Sequence, residues 1–154
     1  MLAEIKTEIE PNESCWRSAG FDSCTFIPSI GRTGGLCLLW KNYKLVNEKI
    51  KITQLDERLL VMEHRNLEIN FSCNIIFIYA PPQENAKDAF WALLTNLVLN
   101  LNLPSIIMGD FNEISCPSDK LGGVYPNKNR FLRINNIIQN CNLVDLDTRG
   151  NEFT

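Results

Sequence analysis

Asp110 and Asn112 are the two polar side chains of this sequence whose type and spacing best suit chemistry. They follow the apolar run 106–108 and Gly109, and the run predicts a buried strand. Alternate residues of an extended backbone point to the same side, so the carboxylate and the amide can enter one pocket while Phe111 turns back into the core. An acceptor and an amide donor would then face one phosphate. The same spacing is also typical of a strand-end turn, in which both side chains bond to local backbone groups.

The bulk composition of the 154 residues is that of one globular domain, with 45% hydrophobic and 21% charged residues. The formal net charge is −3 and the sequence pI is near 5.2. Such a chain has no bulk electrostatic attraction to nucleic acid, so a nucleic-acid partner would need a local basic patch or a bound cation. This balance counts against a strong, non-specific DNA binder.

The six cysteines are widely and unequally spaced and include no C-x-x-C pair. This spacing fits neither zinc ligation nor a dense disulfide scaffold, and it predicts small core hydrophobes in a reducing compartment. The charged start of the sequence lacks the apolar stretch of a signal peptide. Residues 93–108 are interrupted by asparagines and Pro104, which disfavours a membrane span. We therefore expect a soluble intracellular protein.

Strand patterns fill the first half of the sequence. Continuous or alternating apolar residues predict strands over 24–30, 35–40, 46–52, 59–63 and 67–79. The last of these has the clearest period of two, and it ends at a pair of prolines, which cannot donate to a ladder. Consecutive strands of this kind predict antiparallel hairpins.

Helical periodicity follows the strands. Apolar residues recur at spacings of three and four between Ala86 and Leu101, which predicts an amphipathic helix that ends at Pro104. A second helix is predicted after Asn127 as its N-cap. The loop 113–126 before it is long enough to indicate a working role. These patterns predict one α/β domain.

Five short segments, taken together, resemble motifs of the endonuclease/exonuclease/phosphatase superfamily, and most closely the endonuclease domains of plant non-LTR retrotransposons. The segments are LAEIK at 2–6, GRTGGL at 31–36, IYAP at 78–81, GDFNE at 109–113 and KLGG at 120–123. Their order accommodates the predicted elements across essentially the whole chain. The resemblance implies an incomplete four-layer α/β sandwich with mostly antiparallel, mixed sheets and flanking helices.

The resemblance also implies Mg²⁺-dependent hydrolysis of phosphoesters and gives roles to five residues. Glu4 matches the metal-binding glutamate, and Asp110 matches the aspartate that orients or deprotonates the attacking water. Asn112 matches the asparagine that hydrogen-bonds the scissile phosphate. Tyr79 lies where a tyrosine contacts the phosphate or a neighbouring active-site residue, and Arg32 lies in a turn that meets the DNA backbone in nuclease relatives. The roles suit general chemistry, because one carboxylate and a substrate phosphate can hold Mg²⁺ and a carboxylate near water can act as a base.

The sequence departs from the resemblance at both ends. Relatives have an earlier strand with an asparagine near the metal, and they continue to a terminal serine-aspartate-histidine segment. His64 is the only histidine here and is interpreted as an ordinary surface or strand residue. Because catalytic groups that act as a unit lose most of their effect when one is absent, we expect residues 1–154 to be a partial domain that is weak or inactive and marginally stable.

Three functions stay open at this point. The first is a Mg²⁺-dependent endonuclease that nicks DNA, for which the resemblance also implies a reverse transcriptase domain in the parent polyprotein and a nuclear location. The second is a non-catalytic remnant with at most nucleic-acid or protein binding. The third is a phosphomonoesterase of the same superfamily, which the glycine-rich turn around Arg32 disfavours.

Overall fold

The alternating residues of the first half form hairpin strands, and the helical periods of the second half form two long helices. The computed structural model describes residues 2–3, 7–8, 11–30, 33–42, 48–117, 122 and 127–146. The elements of these residues are, in chain order, β1 (Leu2–Ala3), α1 (Glu13–Ser18), β2 (Ser23–Ile30), β3 (Thr33–Trp40), β4 (Glu48–Asp56), β5 (Leu59–Asn66), β6 (Phe71–Tyr79), α2 (Glu84–Asn100), β7 (Ser105–Asp110) and α3 (Lys128–Asn140). The predicted α/β fold class is confirmed.

The chain divides into two compact units. The first combines residues 1–81 with residues 101–110, and it contains the strands. The second combines residues 82–100 with residues 111–154, and it contains α2 and α3. One of the three chain boundaries between them falls inside the GDFN segment, after Asp110.

The strands of the first unit form two sheets with the orders β1-β3-β2 and β4-β5-β6-β7. The predicted antiparallel hairpins are confirmed for β2 with β3, β4 with β5, and β5 with β6. β7 departs from this pattern, because it pairs parallel to β6. Apolar side chains of both sheets form one buried cluster, whose members are Ile27, Leu36, Leu38, Leu60, Met62, Phe77 and Tyr79. The two sheets therefore share one core.

The strand predicted over 67–79 begins later than its alternating pattern indicates. Residues 67–70 form the turn between β5 and β6, and Leu67 and Ile69 are exposed. The side-chain Oδ1 of Asn66 accepts hydrogen bonds from the backbone N–H groups of Glu68 (3.0 Å) and Ile69 (3.1 Å). Asn70 has a φ of 50°, in the left-handed region that asparagine tolerates. Local asparagine hydrogen bonds thus override the period of two.

β7 is an edge strand in the described part of the second sheet, and the prediction of a buried strand over 106–108 is wrong. Ile106 and Met108 are exposed, and Ile107 between them is partly buried. An apolar run of this length does not distinguish a strand covered on both faces from one at an edge. The run thus predicts the strand correctly but not its position in the sheet.

The helices of the second unit match their predicted positions closely. α2 buries Lys87, Phe90, Trp91 and Leu94, which lie on one face at helical spacing. α3 begins after Asn127, whose side chain accepts a hydrogen bond from the N–H of Asn129 at 3.0 Å. The predicted N-cap is therefore confirmed.

No helix among the described residues is both long and apolar enough to cross a membrane.

The cysteines follow the predicted role only in part. Cys37 and Cys73 are buried, Cys15 is exposed, and Cys24, Cys116 and Cys141 are partly buried. All six are free thiols, and burial raises the pKa of the Cys73 and Cys141 thiols. The interpretation as core hydrophobes is thus wrong for Cys15, which lies on the exposed surface of α1.

Gly109 sets the distance between β6 and β7. It pairs with Ile78 and has a φ of 140°, and a Cβ built on it would lie 1.9 Å from the carbonyl oxygen of Ile78. Real Cβ atoms do not approach an oxygen this closely, so any larger residue would force the two strands apart. Glycine at this position therefore allows Asp110 to pair with the next residue of β6.

Gly109→Ala should destabilise the chain far more than Gly122→Ala. Both glycines have positive φ, but a Cβ at Gly122 would meet nothing within 4 Å among the residues that the structure describes. The left-handed backbone alone costs roughly 1–2 kcal/mol, whereas the clash at Gly109 should add at least about 2 kcal/mol. Urea unfolding of the two variants, at constant m-value, measures the loss of unfolding free energy in each. Equal losses would show that the strands can separate at no cost.

Candidate functional site

Asp110 and Tyr79 lie at the carboxyl ends of two neighbouring parallel strands. They are register partners of β7 and β6, and the N–H of Ala80 donates to the carbonyl oxygen of Asp110 at 2.8 Å. Asp110 is exposed, whereas Tyr79 is 2% exposed. In open α/β sheets, ligands bind outside the carboxyl ends of the strands. The structure thus brings together two of the predicted site residues at an edge suited to a ligand.

Arg58 is a further residue at this end of β6, and no sequence pattern predicted it. Its guanidinium carbon lies 5.6 Å from the centroid of the Tyr79 ring, and its carbonyl oxygen accepts from the N–H of Tyr79 at 3.0 Å. The side chain is 17% exposed. Its Nη1 is buried and has no hydrogen-bond partner among the residues that the structure describes. Arg58 therefore places a partly buried guanidinium, whose Nε lies 3.5 Å from the Glu57 carboxylate, against the ring of Tyr79.

Asn112 does not continue the extended backbone of β7. The strand ends at Asp110, and Asn112 has a φ of 46° in the left-handed region. The expectation that Asp110 and Asn112 share one side of an extended strand is therefore wrong, because the alternation stops between them. Phe111 packs as expected of an apolar residue, since its ring stacks on that of Trp91 with 6.2 Å between centroids.

The carbonyl oxygen of Asn112 is held by two cations. Lys87 Nζ donates to it at 2.6 Å from α2, and Arg130 Nη2 donates to it at 3.0 Å from α3. A left-handed conformation costs a non-glycine residue roughly 1–2 kcal/mol, although asparagine is enriched there. Two charge-assisted hydrogen bonds to the same oxygen are strong enough to stabilise it.

Glu113 is the buried anion that balances these cations. Its side chain is 0% exposed, and its carboxylate lies 3.2 Å from Lys87 Nζ, 2.8 Å from Arg130 Nε and 3.0 Å from Arg133 Nη1. Lys87 is itself 4% exposed. A buried carboxylate with three cationic partners satisfies the requirement that buried charges be paired and hydrogen-bonded.

One feature of the sequence indicates this cluster. Lys87 shares the buried face of α2 with Phe90, Trp91 and Leu94, at spacings of three, four and seven. A lysine on the apolar face of a helix requires a buried anionic or carbonyl partner. No comparable signal marks Arg58, because a charged residue in a hairpin turn is ordinarily solvated.

Arg133 joins the same carboxylate to two acidic residues of α2. It donates to Glu113, to Asp88 at 2.7 Å and to Glu84. The hydrogen bond from Arg133 lowers the pKa of the Glu84 carboxyl, and the same bonds raise the pKa of the Arg133 guanidinium. Arg133 thereby ties α3 to α2.

Two of the predicted site residues, Glu4 and Arg32, lie outside the described residues. Within the described ranges, no group of three or more histidine, cysteine, aspartate or glutamate side chains could hold a metal ion. His64 lies on β5, and its Nε2 is 3.0 Å from a carboxylate oxygen of Glu48 on β4, which confirms the strand interpretation of that histidine.

The chain is similar to solved structures of other proteins. No family model and no curated protein matches the chain. The chain is similar to the human Nocturnin catalytic domain with bound sulfate anion, at 19% sequence identity and a TM-score of 0.41, over 73% of this chain and 50% of that one. The chain thus spans about half the length of that Nocturnin structure. The chemical role of the site therefore rests on the residues described above.

Glu113→Gln should destabilise the second unit strongly, by about 3–5 kcal/mol, because it leaves Lys87 buried beside a neutral group and removes the anionic partner of the partly exposed Arg130. Glu84→Gln is the matched control, since it also removes a partner of Arg133 but at a side chain that is 58% exposed. That exposed pair should contribute at most about 1 kcal/mol. Thermal and urea unfolding of both variants measure the difference, and equal effects would contradict the buried-charge argument.

The carboxyl of Glu84 should titrate at lower pH than an ordinary glutamate. Its pKa is lowered in the folded state, so its contribution to stability is complete above the unfolded-state pKa and is lost as pH falls through the lower folded-state pKa. A ¹³C NMR titration of the glutamate carboxyls locates the shift. Arg133→Met should return the pKa of Glu84 toward its usual value, and an unchanged titration would rule out Arg133 as the cause.

Proposed function

We propose that this chain is a nuclease-type phosphodiester hydrolase domain that acts on DNA, with Asp110 as the group that activates water. The observation that supports this most directly is the pairing of Asp110 with Tyr79 at the carboxyl ends of two parallel strands. It puts an exposed carboxylate at a strand end whose backbone is fixed by ladder hydrogen bonds. The resemblance in sequence gives the same two residues their roles.

The proposed reaction needs one carboxylate within reach of water. The Asp110 carboxylate takes a proton from water while the water oxygen forms a bond to phosphorus. The bond from phosphorus to one ester oxygen breaks, and the leaving alkoxide takes a proton from solvent. The products are an alcohol and a phosphomonoester, and Asp110 then releases its proton. A positioned base of this kind contributes roughly 10²- to 10⁴-fold.

Tyr79 serves the proposed site by position. Since it is 2% exposed and lies under the guanidinium of Arg58, its burial fits a contact with a neighbouring active-site residue better than a direct contact with phosphate. Its backbone pairing with Asp110 supports that role. Tyr79 is thus proposed as a positioning residue for the water-activating carboxylate.

Asn112 is proposed to donate its side-chain amide to the phosphate, where a neutral donor stabilises developing negative charge. Mg²⁺ would be held by Glu4 and by the substrate phosphate, since this ion prefers oxygen ligands and keeps several waters. When bound, it would stabilise the leaving alkoxide. An exposed aspartate at a strand end is compatible with such an oxygen-rich site.

Cleavage of supercoiled plasmid by the 154-residue chain tests the proposal. We expect weak nicking that requires Mg²⁺, that stops with EDTA, and that falls by about 10²- to 10⁴-fold in Asp110→Asn because the base is lost. Asp145→Asn, which changes an exposed aspartate of the second unit, is the control and should cleave like the wild type. A diester and a monoester of p-nitrophenol, assayed in parallel, separate diesterase from monoesterase activity.

The outcomes are distinct. Absence of cleavage above a mock preparation would reject the proposal for this chain, and so would cleavage that persists undiminished in Asp110→Asn. Turnover of the monoester alone would replace the nuclease by a phosphomonoesterase. DNA binding without turnover would favour a non-catalytic remnant.

A further inference from the structure

We infer that Lys87 and Arg130 are positioning residues for Asn112, that they act through its main-chain carbonyl, and that the buried Glu113 holds both cations in place. These three residues are called the Asn112 clamp below. The functional consequence rests on the proposed function, in which Asn112 contacts the phosphate. The geometric part stands on contacts within the second unit.

Lys87 and Arg130 of the clamp each contact two consecutive residues, Asn112 and Glu113. Lys87 Nζ lies 2.6 Å from the carbonyl oxygen of Asn112 and 3.2 Å from the Glu113 carboxylate. Arg130 donates its Nη2 to the same carbonyl at 3.0 Å and its Nε to the other carboxylate oxygen at 2.8 Å. The planar fork of arginine fixes the angle between these two bonds.

This arrangement restrains rotation about the backbone of Asn112. The carbonyl belongs to the peptide group between Asn112 and Glu113, so its direction sets ψ of Asn112. Rotation of that peptide would break both bonds to the carbonyl, while the Glu113 side chain keeps the cations from following. The Glu113 side chain is fully buried and that of Lys87 nearly so, and water therefore cannot readily replace the bond from Lys87.

Arg133 shows which part of the charge cluster is specific to Asn112. It bonds the same Glu113 carboxylate at 3.0 Å, and its other hydrogen bonds go to Glu84 and Asp88. Its removal therefore takes a cation from Glu113 but leaves both bonds to the Asn112 carbonyl intact. A purely structural cluster would respond alike to the loss of Arg133, Arg130 or Lys87.

NMR of the 154-residue chain tests the geometric part without any substrate. The NOE between the Hα proton of Asn112 and the amide proton of Glu113 depends on ψ of Asn112, the angle that the two bonds restrain. We expect this NOE and the Asn112 shifts to change in Lys87→Met and Arg130→Met, but not in Arg133→Met. Arg130→Lys keeps the charge and should retain most of the wild-type signal.

Plasmid cleavage tests the functional part with the same variants. Because Asn112 is proposed to stabilise charge that develops in the transition state, its misplacement should lower kcat by at least about tenfold with a smaller change in KM. Arg133→Met should keep the wild-type kcat while losing stability in urea. Arg130→Lys should recover most of the rate lost in Arg130→Met.

The inference fails if the Asn112 signals stay unchanged in Arg130→Met, or if Arg133→Met changes them equally. Should Lys87→Met not fold, Arg130→Met and Arg130→Lys decide the matter, since Arg130 is partly exposed. A wild-type chain that cleaves nothing would reject the proposed function, and the NOE would still test the clamp. If the Asn112 signals change as expected but kcat does not, the clamp stabilises the fold only, and its positioning role is overturned.

Discussion

The burial of the Glu113 carboxylate is the constraint on which the second unit depends. A fully desolvated carboxylate is costly unless cations and hydrogen-bond donors surround it. α2 supplies Lys87, and α3 supplies Arg130 and Arg133. Each helix must therefore present a particular residue to one point of the segment that follows Phe111. Apolar contacts between helices tolerate small rotations about the helix axes, but this set of charged contacts does not. The Glu113 carboxylate therefore fixes which face each helix turns toward it.

The first unit depends on a steric constraint of a different kind. Parallel pairing of β6 and β7 brings the Ile78 carbonyl so close to Gly109 that no side chain fits there. The close approach in turn sets Asp110 beside Tyr79, one residue further along both strands. Glycine in the GDFN segment is thus required by the sheet, independently of any catalytic role for its neighbours.

The local patterns of the sequence predicted most helices and strands, but not where a strand begins or whether it lies at the edge of a sheet. Periods of two and of three to four located the hairpin strands, α2 and α3, and the cap at Asn127 followed from side-chain chemistry. The failures were at Leu67 to Ile69, where an asparagine turn interrupts an alternating run, and at Ile106 and Met108, where an apolar run lies at a sheet edge. Both outcomes depend on hydrogen bonds or neighbours that lie outside the pattern itself.

Part of the candidate site could likewise be predicted from the sequence. Tyr79 and Asp110 were identified by resemblance, and the structure pairs them in register. Arg58, Arg130 and Glu113 were missed, because burial of a charged side chain is decided by partners distant in sequence. Lys87 was the exception, since its place among the apolar residues of α2 was visible in the sequence. A charged residue on an apolar face is therefore a better guide to a hidden polar cluster than the motif that the cluster supports.

Asp110 and Asn112 illustrate two physical ways to hold a functional residue. Asp110 ends a strand whose position follows from ladder hydrogen bonds and a steric limit at Gly109, neither of which depends on ionisation. Asn112 has a left-handed backbone that is stabilised by charged donors, and these depend on the ionisation of Glu113 and Lys87. Salt should affect neither strongly, because buried pairs are poorly screened. Neutralising Glu113 should loosen Asn112 while leaving the pairing of Asp110 with Tyr79 intact, so the two halves of the GDFN segment respond to different perturbations.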